Sequence, residues 1–227
     1  MPRKHRFAPP GYNLHITQRG NYGQRTFFTS HDHRFFLNLV AEHSLDDSVD
    51  VLAYCLMPNH FHLILHGHQT GSISRFMQSL NGRYAQFIHS RLQRQGRFWQ
   101  SRFYSCVLDS AHLVAALRYV ELNPVRANMV PCAPDYPWSS ALIHTGQQPP
   151  PSWLNISAFG ELFTPTEWQQ FLADGQPSEE QALIRRATRH AAVAGSPEFI
   201  GSLEVAFSRN LQVHSPGRPR RKQAAAG

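Results

Sequence analysis

Over the first 150 residues, segments of alternating polarity are interleaved with segments whose apolar residues recur every three or four positions. Residues 12–18, Tyr-Asn-Leu-His-Ile-Thr-Gln, alternate and predict a first strand, which Gly20 and Gly23 break. A helix is predicted from Ser30, behind the capping residue Thr29, through Phe35, Phe36, Leu39 and Val40 toward Leu45. Val49 to Met57 predicts a second strand, Pro58-Asn59 a turn, and His60 to His66 a third strand closing a hairpin. From Ser72 to about Gln95 a long basic helix carries Ile73, Phe76, Met77, Leu80, Tyr84, Phe87 and Ile88 on one stripe, with Gly96 at its end. A fourth strand falls near Phe103 to Leu108, and Asp109 predicts the N-cap of a helix that ends before Pro124.

This order, β-α-β-β-α-β and then a further helix, predicts an α+β fold of ferredoxin-like type. One antiparallel sheet carries two helices on one face, and the extra helix covers the other. Beyond Pro149, Pro150 and Pro151 the character changes: net charge falls from about +6 over residues 1–150 to about +1 over the remainder. Helical patterns recur near 165–173, 178–193 and 196–210. The expected organisation is a domain over residues 1–148, a small helical extension over 152–212 and a basic, disordered tail over 213–227.

Strand parity isolates one candidate site. Three His-x-His pairs occur, at His31/His33, His60/His62 and His66/His68; chance supplies about one in a chain with this much histidine. The first lies in a helical pattern, where positions i and i+2 diverge, and the third straddles Gly67 at a strand end. Only His60-Phe61-His62 has strand chemistry on both sides. Its imidazoles share one face, while Phe61, Leu63 and Leu65 share the other. In the predicted topology the histidine face meets the helix after Asp109, whose core stripe is Leu113, Ala116, Leu117 and Val120. Tyr119 and Asn123 lie about 40° apart on one flank of that stripe. Neutral imidazoles bind divalent metals, an amide oxygen is a harder ligand, and a phenolate can attack phosphorus. Tyr84 is a rival nucleophile, but its place on the long helix's apolar stripe predicts a core residue.

The formal charge of +7 and pI near 9.8 favour a polyanionic partner, nucleic acid before an anionic membrane surface. Cys55, Cys106 and Cys132 have no metal-like spacing and cannot all pair, which favours a reducing compartment. The first residues lack an apolar signal region and no stretch has the length of a membrane span, so a cytoplasmic location without membrane association is expected.

Five segments in order carry a family resemblance: Gln18-Arg19-Gly20-Asn21, Met57-Pro58-Asn59-His60-Phe61-His62, Phe98-Trp99-Gln100-Ser101-Arg102-Phe103, Tyr119-Val120-Glu121-Leu122-Asn123-Pro124-Val125-Arg126 and Trp138-Ser139-Ser140. In these the chain resembles the single-tyrosine HUH transposases, specifically the REP-associated tyrosine transposase type. The resemblance implies a ferredoxin-like nuclease that cuts single-stranded DNA at hairpins without ATP, through a 5′-phosphotyrosine link and a free 3′-hydroxyl. It implies His60 and His62 as metal ligands, Asn123 at the third-ligand position, Tyr119 as nucleophile and Mg2+ or Mn2+ as cofactor. Short insertion-sequence relatives carry Gln where this chain has Asn123. REP-associated members are expected to act as monomers with Tyr in cis, a dimer with Tyr in trans being the alternative. For DNA, the long helix offers Arg75 and Arg83 and the next loop Arg97, Arg102 and the stacking candidate Trp99, while Arg19, Asn21 and Arg126 belong to the matched segments. The alternative of a different class is a non-catalytic hairpin-binding regulator on the same fold.

Overall fold

The computed structural model describes residues 6–190 and 193–211. The expected basic tail, 213–227, lies outside the described residues. In order come β1 (Asn13–Arg19), α1 (Ser30–Asp46), β2 (Val49–Met57), β3 (His60–Gly67), α2 (Ser72–Leu92), β4 (Tyr104–Leu108) and α3 (Ser110–Glu121). There follow the one-turn helices α4 (Asn123–Arg126), α5 (Ala141–His144) and α6 (Ser157–Gly160), then α7 (Pro165–Ala173), α8 (Ser178–Arg189), β5 (Val193–Ala194) and α9 (Pro197–Phe207). The local chemistry explains the boundaries. Thr29 and Asp32 form a reciprocal capping box at the start of α1, and the Asp109 carboxylate accepts from the His112 N–H at the start of α3.

The strands lie in the order β2-β3-β1-β4-β5. The first four pair antiparallel, the ferredoxin-like arrangement expected from the pattern. β5 differs from expectation. The pattern predicts one helix over residues 178–193, but α8 ends at Arg189 and Val193–Ala194 pair in parallel with Val107–Leu108 at the sheet edge. Two residues are too short for a sequence period, so only the open edge of β4 defines them.

Alternation along β3 divides the molecule into two layers. Phe61, Leu63 and Leu65 point with Leu14 and Ile16 of β1 into a core closed by Phe36, Leu39 and Val40 of α1 and Phe76, Leu80 and Tyr84 of α2. Ile64 points the other way, into a second core with Leu113, Leu117 and Val120 of α3. Trp168 and Leu172 of α7 and Ile184 and Ala187 of α8 complete that second core, so α7 and α8 pack on the same sheet face as α3, whereas Leu154, Val193, Leu203 and Leu211 join the first core.

Two polar devices hold this layer in register. Ser140 bonds the backbone of Tyr54 on β2, and the Leu56 N–H donates to the Trp138 carbonyl, which seats Trp138-Ser139-Ser140 along the edge strand. Glu121, fully buried at the end of α3, accepts from the Ser140 hydroxyl, His144 Nδ1 (2.6 Å) and Trp168 Nε1 (2.7 Å). A buried carboxylate without such donors would cost several kcal/mol, on the order of an unpaired buried charge. With them it ties α3 to α5 and α7. Among the described residues no helix is long and apolar enough to cross a membrane.

Candidate active site and nucleic-acid cleft

The site begins with register. Thr17 of β1 pairs with His62, Arg19 with His60 and His15 with Ile64, so side chains of β1 stand beside the two histidines on the α3 face. The His60 and His62 ring centroids are 5.0 Å apart. Each imidazole has one nitrogen committed. His60 Nδ1 lies 2.7 Å from Asn59 Oδ1, and the Asn59 amide nitrogen donates to the Gly23 carbonyl, which orients that amide. His60 Nδ1–H therefore donates, and Nε2 keeps its lone pair.

A longer chain of bonds sets His62. The Thr188 hydroxyl donates to the Ile184 carbonyl at 2.8 Å, so its oxygen accepts from His15 Nδ1 at 2.7 Å. His15 Nε2 is then an acceptor, and His62 Nδ1, 2.9 Å away, donates to it. His62 is left with its lone pair on Nε2. Burial, with help from the Arg126 charge, brings His15 down to about 3; burial and then Arg19 bring His60 down to about 4. Burial, His60, His15 and Arg126 together hold His62 well below its ordinary value. All three rings are neutral near pH 7. Two neutral imidazoles with anchored Nδ1 and free Nε2 are a donor set that suits a divalent cation.

Tyr119 of α3, 7% exposed, stands edge-on to His62 and to His15, each with centroids 5.7 Å apart. The Arg126 guanidinium lies 4.2 Å over its ring and donates to its carbonyl. Tyr119 and the three histidines border a cleft of about 480 Å³. Its floor is His15, Thr17, His60 and His62, with Tyr119 beside them; Arg19, Gln100 and Tyr104 form one rim; Arg185, Thr188 and Arg189 of α8 form the other. Asn123 is not among the residues lining it. Its amide nitrogen donates to the carbonyls of Tyr119 (3.0 Å) and Val120 (3.4 Å), which finishes α3.

The structure brings Arg19 to the cleft and seats Asn21 next to it. Gly20 N–H donates to the Asn59 carbonyl and Asn21 N–H to that of Phe98. Gly20 admits no side chain there, because a Cβ would stand 2.4 Å from the Gln24 carbonyl oxygen. Arg97 and Arg102 are exposed on the neighbouring loop. The structure does not bring Arg75 and Arg83 to the cleft: they pair with Asp47 and Glu42 in the layer over the opposite sheet face. Trp99 faces that layer too, with its indole N–H on the Asn81 carbonyl and its ring edge-on to Phe61. Tyr84 is fully buried there, its hydroxyl donating to the Thr26 carbonyl, and burial raises its pKa.

The polarity pattern does not single out His15, Thr188, Arg185 or Arg189 as site residues. Strand parity carries a signal for His15, since Leu14 and Ile16 flank it as Phe61 and Leu63 flank His62. No local pattern reveals the α8 residues, because their place depends on docking more than 100 residues along the chain.

A family profile described as "Transposase IS200 like" matches residues 10–123, half of the chain. The chain belongs to the IS200-like transposase family. This family member also resembles the solved structure of a REP-associated tyrosine transposase bound to a REP hairpin, with a TM-score of 0.53 and 17% identity over 62% of this chain and 82% of that one. A candidate transposase from Deinococcus radiodurans R1 aligns at 16% identity over 56% of this chain and 98% of that one, with a TM-score of 0.39. No curated protein matches the chain. Within this IS200-like transposase the family match contains His15, His60, His62 and Tyr119, whereas Arg185, Thr188 and Arg189 lie beyond it.

Proposed function

We propose that the chain is a metal-dependent single-stranded DNA nicking and strand-transferring enzyme that acts beside hairpins, with Tyr119 as its nucleophile. The observation that carries this reading is the juxtaposition of Tyr119 with two neutral imidazoles whose Nε2 lone pairs are free. His60 and His62 would hold Mg2+ or Mn2+; Asn123, expected from the resemblance as third donor, has its amide on the α3 backbone outside the cleft and could reach the ion only by leaving those carbonyls. The ion supplies Lewis-acid polarisation of the scissile phosphate. The Tyr119 hydroxyl, losing its proton, forms a bond to phosphorus as the P–O3′ bond breaks; the 3′ oxygen leaves and takes a proton as a free hydroxyl. The product is a 5′-phosphotyrosine. Attack by a 3′-hydroxyl on that link returns the tyrosine and rejoins strands.

Family membership supports transposase chemistry, and the fold shared with a hairpin-bound relative supports a DNA hairpin as partner. Tyr119 packs against His62 of its own chain, an arrangement that suits action in cis. Arg19 offers a phosphate contact at the cleft, Asn21, Arg97 and Arg102 are candidates on the neighbouring loops and Arg126 on the Tyr119 ring, and a cytoplasmic location fits such a substrate.

Incubating the full chain with labelled hairpin DNA and Mn2+ should yield a covalent adduct that EDTA and Tyr119→Phe both abolish, while Tyr84→Phe retains it. An adduct that survives in Tyr119→Phe sinks the assignment. Hairpin binding without an adduct under any divalent metal would reduce the protein to a DNA-binding regulator.

A further inference from the structure

The cleft beside Tyr119 has a wall that the family match does not include. Ile184, Ala187 and Thr188 face inward from α8, and Arg185, Thr188 and Arg189, at i, i+3 and i+4, share the face that borders the cleft. Thr188 lies between the arginines and is bonded to His15, so this face of α8 is in register with the histidines themselves.

The helix is fastened at both ends. Ahead of α8, Gln176 Nε2 donates to the Ala115 carbonyl of α3 at 2.8 Å; in its first turn, Glu180 pairs with the buried Arg118 at 2.7 Å. Behind it, β5 pairs with β4, and the Ser196 N–H donates to the Asp109 carboxylate at the cap of α3. An element so held arrives pre-organised and loses little entropy when a ligand binds.

The charges are equally specific. Arg75, Arg83, Arg91 and Arg118 each pair with a carboxylate. Among the described residues no carboxylate pairs with Arg185 or Arg189, and no Asp or Glu lines the cleft. Three exposed arginines, Arg19 on one rim and Arg185 and Arg189 on the other, thus face a cavity without a counter-charge. The forked guanidinium matches phosphate oxygens, and an unneutralised cationic cleft concentrates anions.

We propose that α8 is the second wall of the active site, and that Arg185 and Arg189 bind the backbone phosphates of the single strand laid across Tyr119. This rests on the reading of the cleft as a single-stranded DNA site. The strand passes between Arg19 on the sheet side and the α8 pair, so both flanks of the scissile phosphate are held. The segment after residue 150 then contributes directly to substrate binding.

The test uses the full chain in EDTA, so that binding is read without cleavage, and two labelled DNAs: a hairpin with a single-stranded extension and the same hairpin without it. Arg185→Gln/Arg189→Gln should weaken binding of the extended hairpin about tenfold and reduce the slope of log K against log salt by about 1.4, the value for two single-strand contacts. Affinity for the bare hairpin should not change. Arg186→Gln, exposed on the same helix but outside the cleft lining, should match wild type on both DNAs, and Arg185→Lys/Arg189→Lys should recover much of the loss. Equal affinity and salt slope for Arg185→Gln/Arg189→Gln and wild type on the extended hairpin would overturn the proposal. If wild type forms no adduct with metal but the binding difference appears, the nicking reading fails and the α8 wall stands. If the adduct forms and the binding difference is absent, the α8 wall fails and the nicking reading stands.

Discussion

Phe61 and His62 are neighbours on one strand and sit in opposite kinds of environment. Phe61 is fully buried against Phe36 and Trp99, under the apolar residues of two long helices, α1 and α2. His62 is nearly as inaccessible, 5% exposed, yet its neighbours are His15, His60 and Tyr119, and beside it the covering helices leave a cleft. Burial by itself therefore does not separate structural from reactive positions. On one face it removes apolar area from water. On the other it suppresses protonation and keeps imidazole lone pairs available, while hydrogen bonds settle which nitrogen holds them.

Acid should separate the faces most strongly. His15, His60 and His62 are neutral in the fold, whereas in the unfolded chain each takes a proton below about 6.5. The unfolded state thus binds more protons as pH falls past that value, and stability drains away down to about 4 for His60 and about 3 for His15. Thermal melts followed by circular dichroism should show a steady fall in Tm between pH 7 and pH 4. A flat profile would mean that the histidine face is open to water in solution.

Next comes the strand itself. Phe61→Ala should cost about 3–5 kcal/mol in chemical denaturation, because α1 and α2 cannot collapse into the space. His62→Gln should change stability far less and should abolish adduct formation. If the two variants lose stability and adduct in parallel, the division into a packing face and a reactive face fails.

Thr188→Val carries a smaller effect. It keeps the shape of the side chain but removes the acceptor for His15 Nδ1, so the His62 tautomer is no longer enforced. Outer-shell changes of this kind cost about 10–100-fold in metal affinity. Mn2+ titration followed by electron paramagnetic resonance, with 15N shifts of the His62 ring as the tautomer readout, would check it. Unchanged affinity and an unchanged tautomer would show that α8 is passive toward the metal site.

Several features were legible without coordinates. The alternation of β1 and β3, the stripe of α2, the caps at Thr29 and Asp109, and the Asn123-Pro124 stop all follow from short-range sterics and hydrogen bonding, and each element formed where that chemistry placed it. The two-residue span between His60 and His62 was equally readable, because a strand has a period of two whatever packs on it.

Other features belong to packing alone. Arg75, Arg83 and Trp99 have the composition of a nucleic-acid surface, but ion pairs and an aromatic core hold them in the layer across the sheet from Tyr119. β5 exists only because β4 leaves an edge to pair with. The sequence alone determined the fold class, the histidine pair and the helix carrying Tyr119, since each depends on residues within a turn or a strand of one another. Tertiary structure decided which imidazole nitrogens stay free, that His15 joins them, and that Arg185, Thr188 and Arg189 close the cleft. Those outcomes depend on contacts between residues as distant as His15 and Thr188, and no local period encodes a contact at that separation.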